Sequence, residues 1–303
     1  MDAPAELVCS TDFWFDDGTV VLQVENTLYR VYRGLLSSRS TVFRDTFSIP
    51  QPVEERVEIE GCPVVQLHDK ARDFTCFLKA LHHYGSYKNC PVSGFAELES
   101  VLRLSDKYDV PLLRDSMTSI LSDLYPSSLD KWADRKHHPG YTAFIRDNFS
   151  ALNIAVKMNI RSILPAVMYE VCCRSTLESI VSGMGQAKLK IENNEYRKRC
   201  ILAIPRLMLA QRQALGYLKR EYDDDCKHRA VCNTERLRWF ALDLEDDEAF
   251  DPLDDNNLDS WDVFRVCSSC LETAKKTYAN ARQDLWNKLP SIFNLGTWDD
   301  LLA

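Results

Sequence analysis

The spacing of hydrophobic positions changes along residues 19–47. Val20, Leu22 and Val24 alternate with Thr19, Val21, Gln23 and Glu25, and Leu28 and Val31 lead on. Leu35, Leu36, Val42, Phe43 and Phe47 then recur at the wider spacings of a helix. A period near two belongs to a strand and one near 3.6 to a helix. Glu25-Asn26 is a polar pair suited to a tight turn. The pattern predicts a hairpin over residues 19–31, with two short helices over residues 32–47 packed on it.

The same reading extends along the chain. Residues 1–10 read as a loose leader, and Ile49-Pro50-Gln51-Pro52 reads as an extended connector. Val64-Val65-Gln66-Leu67 gives another strand. Asp73 is placed to cap a helix over 74–84, with Phe74, Phe77, Leu78 and Leu81 on one face and Gly85 ending it. Two more apolar stripes run over 94–108 and 112–124, parted by a turn at Tyr108-Asp109-Val110-Pro111. Residues 11–126 thus read as an α+β domain, a short sheet with about five helices.

Residues 127–140 are polar and read as a linker, with His137 and His138 solvated rather than ligating. Residues 141–222 read as a helical domain, with helices over 148–158, 162–173, 175–184 and 195–222; Pro165 is early enough to sit in a first turn. Residues 223–303 read as a cysteine-containing, acidic C-terminal segment. Its stretch 223–261 reads as a solvated loop, followed by a closing helix over 274–289 that ends at Pro290.

The run Tyr32-Arg33-Gly34-Leu35-Leu36-Ser37-Ser38-Arg39-Ser40-Thr41-Val42-Phe43 resembles the opening of a BTB/POZ domain, whose pattern is His-Lys-x-x-Leu-x-x-x-Ser-x-x-Phe. The basic residue, the leucine pair, the serine and the phenylalanine match, while Tyr32 stands where the histidine is usual. The wording of the first 125 residues, and loosely of 285–293, further resembles the BTB proteins numerous in mushroom-forming (basidiomycete) fungi. The resemblance implies a non-catalytic protein–protein interaction module: a homodimer or BTB heterodimer that recruits another protein. An adaptor between a cullin-type ubiquitin ligase scaffold and its substrate is the alternative. It also places Asp17 and Arg33 where the family has a charged pair in a pocket at the dimer interface; Asp17 equally suits a turn before Gly18. Phe13 and Trp14, with Phe15, fall where the family's N-terminal segment packs across a partner, and core packing fits them as well.

Composition narrows the function further. The 303 residues are 45% hydrophobic and 27% charged with a net charge of −8, an ordinary globular balance that argues against a surface built to coat nucleic acid. The longest apolar stretch, 200–210, is broken by Pro205 and Arg206, and the N-terminus carries no secretory pattern, so no membrane partner is expected and the setting is cytoplasmic or nuclear. In such a reducing setting the eleven cysteines are thiols or metal ligands rather than disulfides. No G-x-S-x-G, H-E-x-x-H or P-loop occurs, and Asp251 to Asn256 lacks the spacing and glycine of a calcium loop. An enzyme with an unrecognised site in the helical domain is the remaining alternative of another class.

One constellation carries chemistry. Cys267-Ser-Ser-Cys270 has the two-residue gap that brings two sulfurs to one ion, and Cys226 and Cys232 supply a looser pair thirty-four residues before it. His228 stands beside the first pair and could replace either member. Two readings fit: a structural zinc site with no open position for catalysis, or ordinary reduced thiols. Cys172, Cys173 and Cys200 lie on apolar helical faces and read as packing residues.

Overall fold

The computed structural model describes residues 6–49, 57–82, 92, 94–145, 147–185, 189–219, 225–245, 251–253 and 263–303. The connector prolines Pro50 and Pro52, the expected helix end at Tyr84 and Gly85, and most of the acidic stretch after Glu245 lie outside these. The chain divides into two compact units, Met1–Ile120 and Leu121–Ala303.

The first unit is built on a five-stranded mixed sheet, β1 (Val8–Trp14), β2 (Val20–Val24), β3 (Thr27–Val31), β4 (Glu58–Ile59) and β5 (Cys62–Leu67), in the order β1-β3-β2-β5-β4. β2 and β3 form the expected hairpin, from Val20 opposite Val31 to Val24 opposite Thr27, with Glu25 in the left-handed region at the turn. The leader reading fails from Val8 on. Residues 8–14 are a strand that pairs parallel to β3, so Phe13 and Trp14 lie within the first strand rather than before it. Val21, read as the outer side of an alternating strand, is also buried. β2 is central and pairs parallel to β5, and such strands are covered on both faces. On that second face Val21, Leu28 and Cys62 gather Trp14, Ile59 and Val64.

Five helices complete the unit: α1 (Arg33–Arg39), α2 (Thr41–Ser48), α3 (Ala71–His82), α4 (Phe95–Lys107) and α5 (Pro111–Leu124), the last running across the division. Asp73 is not the cap of α3. That helix starts earlier, and Glu25 of the hairpin turn accepts the Ala71 N–H at 2.9 Å, while Asp73 accepts Ser100 and Arg103 of α4. Phe43 stacks on Tyr108 at 4.5 Å, and Tyr108 meets Phe74 and Phe77.

The second unit is helical: α6 (Leu129–Asp134), α7 (Tyr141–Phe144), α8 (Asn148–Lys157), α9 (Leu164–Arg174), α10 (Leu177–Ser182), α11 (Asn194–Ala214), α12 (Arg229–Glu245), α13 (Ser268–Ile292) and α14 (Trp298–Leu302). Two sequence expectations are corrected here. Residues 129–137 are helical and hold the buried Trp132 and Arg135, so they are not a solvated linker. Residues 229–245 form the seventeen-residue helix α12 in place of the first part of the loop.

Trp132, Trp286 and Trp298 are the spine of this unit, with successive rings 5.2 and 5.5 Å apart. Beside it Arg135 lies over the Trp132 ring at 3.2 Å and pairs with the buried Glu170. Pro290 does not stop α13, which continues to Ile292. A proline inside a helix leaves the carbonyl four residues back without its N–H. That carbonyl belongs to Trp286, and it accepts the indole N–H of Trp298 at 2.8 Å instead.

Candidate functional site

The four sequence-predicted cysteines meet. The sulfurs of Cys226, Cys232, Cys267 and Cys270 all lie within 4.8 Å of one another, and Cys226 and Cys267 are 3.8 Å apart. Two helix starts bring them together. Cys226 precedes α12 and Cys232 lies in its first turn; Cys267 is the residue before α13 and Cys270 lies in that helix's first turn. Cys226, Cys232 and Cys270 are buried, while Cys267 is partly open to solvent.

Zinc–sulfur bonds of about 2.3 Å in a tetrahedron separate the sulfurs by about 3.8 Å. The cluster has that size, which fits one ion; the inorganic core of an iron–sulfur cluster would spread its ligands further. The environment suits thiolates. The Cys267 N–H donates to Cys232 Sγ at 3.3 Å, and helix starts place unpaired N–H groups and the positive end of the dipole nearby. The Cys270 backbone N–H holds the Cys267 thiol below its usual range, whereas burial pushes the Cys232 thiol up. These four residues could hold a metal. Among the described residues His228 is not part of the group: its side chain is exposed, and its carbonyl accepts the Cys232 N–H at 2.9 Å.

The expected interface residues are distributed differently. Asp17 and Arg33 form no ion pair. Asp17 accepts the Tyr32 hydroxyl at 2.7 Å, and this bond pushes the Tyr32 phenol up. Arg33 turns away to the Phe47 carbonyl and lies over the Phe47 ring, with its own N–H bound to Thr19. Phe15 stacks on Tyr32 at 5.0 Å, making a small surface of Phe15, Asp17 and Tyr32. Phe13 is buried beside His82, and Trp14 packs on the second-face cluster, so both serve the core of their own unit.

Residues 15–124 match the family model of the BTB/POZ domain. They form a BTB/POZ domain. Its hairpin, mixed sheet and helices are those described above, and a mostly helical region follows. No curated protein matches the chain. BTB domains in general are protein-interaction modules. The match covers Asp17, Tyr32 and Arg33, begins one residue after Trp14, and leaves the four cysteines outside. No described helix is long and apolar enough to cross a membrane.

The serine and phenylalanine of the BTB pattern have a visible reason. Ser40 is buried, accepts the Phe43 N–H at 3.0 Å and donates to the Tyr108 carbonyl. Further along α12, Glu235 is buried and Trp239 and Phe240 pack on a separate cluster with Tyr217, Phe264 and Tyr278. Cys232, Glu235, Arg236, Trp239 and Phe240 recur at helical spacing, and that stripe was the available signal.

Proposed function

We propose that this chain is a non-catalytic interaction protein. Its BTB/POZ domain pairs with a second copy or with another BTB domain, and the chain recruits a further protein. The match of residues 15–124 to the BTB/POZ domain carries this reading. The half-buried Phe15 and Tyr32 with the exposed Asp17, and the exposed Arg33 next to Tyr32 in the chain, are the surface through which pairing is read. The four cysteines hold a structural zinc ion, supported by an all-thiolate donor set of tetrahedral size with every position filled by protein. The wording of the first 125 residues supports a place among the BTB proteins of mushroom-forming fungi, working in the cytoplasm or nucleus.

The test combines light scattering after size exclusion with affinity capture from native lysate. The full chain is compared with Tyr32→Ala plus Arg33→Glu, which alters the surface, and with Phe43→Asp, which breaks the core. A dimer that becomes monomeric in the surface variant, with its circular dichroism unchanged, supports pairing. A monomer at every concentration tested removes it. Capture of a cullin scaffold that disappears in the Phe43→Asp control would make the chain a ligase adaptor.

A further inference from the structure

Helix α12 is held to the rest of its unit in an unusual way. Among its described side chains, residues 229–241, those buried are Cys232, Glu235 and Arg236. The aliphatic Val231 and Leu237 stand 62% and 63% exposed. Trp239 and Phe240 are half-buried against a cluster that includes Tyr217, Leu218, Phe264 and Tyr278, with Trp239 edge-on to Phe264 at 6.1 Å. Glu235 accepts from Trp239 at 3.2 Å and lies 3.7 Å from Arg238 within the helix, and outside the helix it takes a long bond from the Arg265 N–H at 3.5 Å. Helices in proteins are stabilised mainly by an apolar stripe laid on a core. The described stripe of α12 is one cysteine, two charged residues and two half-covered rings.

α13, which supplies the other two cysteines, differs. Ala274, Tyr278, Leu285, Trp286 and Leu289 are buried along its length, and the Trp286 indole donates to the Ser127 carbonyl at 3.1 Å. It is anchored without help from the cluster. Metal-binding free energy becomes folding free energy for whatever the ligands order, so it falls chiefly on the weakly buried helix.

On the zinc reading above, we propose that the ion is a latch for α12: the helix docks when the four cysteines are filled and detaches when they are emptied, with α13 as the fixed post. Cys267, the partly open ligand, is the side from which the ion enters and leaves.

Hydrogen exchange read by mass spectrometry on the full chain tests this, alongside elemental analysis and a cobalt titration. Exchange is followed for the zinc-loaded protein, after a strong chelator, and after zinc is restored. The expected result is exchange at least about tenfold faster across 229–241 on chelation, with 274–289 and β2 unchanged and protection regained with zinc. Cys267→Ser should behave as the chelated protein does, in α12 alone. Persistent protection of α12 with the site emptied overturns the latch and leaves the zinc site standing, as does equal loss of protection in α13. Under ~0.2 zinc per chain with no cobalt–thiolate absorption removes the zinc reading itself, and the latch with it.

Discussion

Ser40 and Tyr108 are small parts of the chain with large local consequences. Ser40 caps α2 and donates to the Tyr108 carbonyl from a buried position, so Ser40→Ala loses a cap and leaves that carbonyl without its donor. A cost of about 1–3 kcal/mol is expected from urea unfolding. The Tyr108 phenol is pushed well above its ordinary 10.0 by burial first and by its bond to Asp69 next. The folded chain therefore holds this proton more tightly than the unfolded chain does. The stability tied to it is complete below pH 10 and is lost as pH rises above that value. Alkaline denaturation followed by circular dichroism should steepen from there, and Tyr108→Phe should flatten it. The cysteines were legible at this scale because metal ligands announce themselves by type and gap. The Asp17–Arg33 pair was not: a neighbour in a motif says nothing of where a long side chain turns, and Arg33 had Phe47 to turn to.

Among the elements, α1 and α2 follow the helical period, with Leu36 and Phe43 on their buried sides, and the hairpin lies where the alternation places it although β2 is covered on both faces. The failures share a cause. β1 is an edge strand made of mixed residues, α6 hides one tryptophan in a polar run, and the described residues of α12 bury no aliphatic stripe, so none presents a period to read. Pro290 misled for a different reason: the compensation sits eight residues later, in Trp298. That compensation makes a prediction. Trp298→Phe keeps the ring but orphans the Trp286 carbonyl, at about 1–3 kcal/mol. Pro290→Ala restores an N–H four residues on, so adding it should recover part of the loss. A double-mutant cycle with no coupling between the two positions would refute this account.

For the molecule as a whole, the division into 1–120 and 121–303 gives the two parts separate reporters. Of six tryptophans only Trp14 lies in the first unit, so intrinsic fluorescence follows the second. If the cysteines hold zinc, a chelator should lower the melting temperature seen by fluorescence by several degrees. Cys267→Ser should lower it similarly and make it insensitive to chelator. A chelator that shifts nothing in the unsubstituted chain would argue against a stabilising ion. At this scale the sequence was most readable where family wording existed, over residues 15–124, and least where long-range contacts decide the structure.

The Trp132–Trp286 contact has a consequence for synthesis. The two rings are 5.2 Å apart in space but sit near opposite ends of the second unit's sequence, and the Trp286 indole reaches back to Ser127. A ribosome releases the BTB domain early, with every strand and most helices of that unit already made. The helical unit must then wait, with Trp132 lacking the Trp286 ring until α13 emerges. Contacts this distant along the chain form slowly, and N-terminal domains fold first during translation. A nascent chain paused before residue 286 would therefore carry a finished BTB domain and an open, tryptophan-lined half, the form of this protein on which chaperones have most to act.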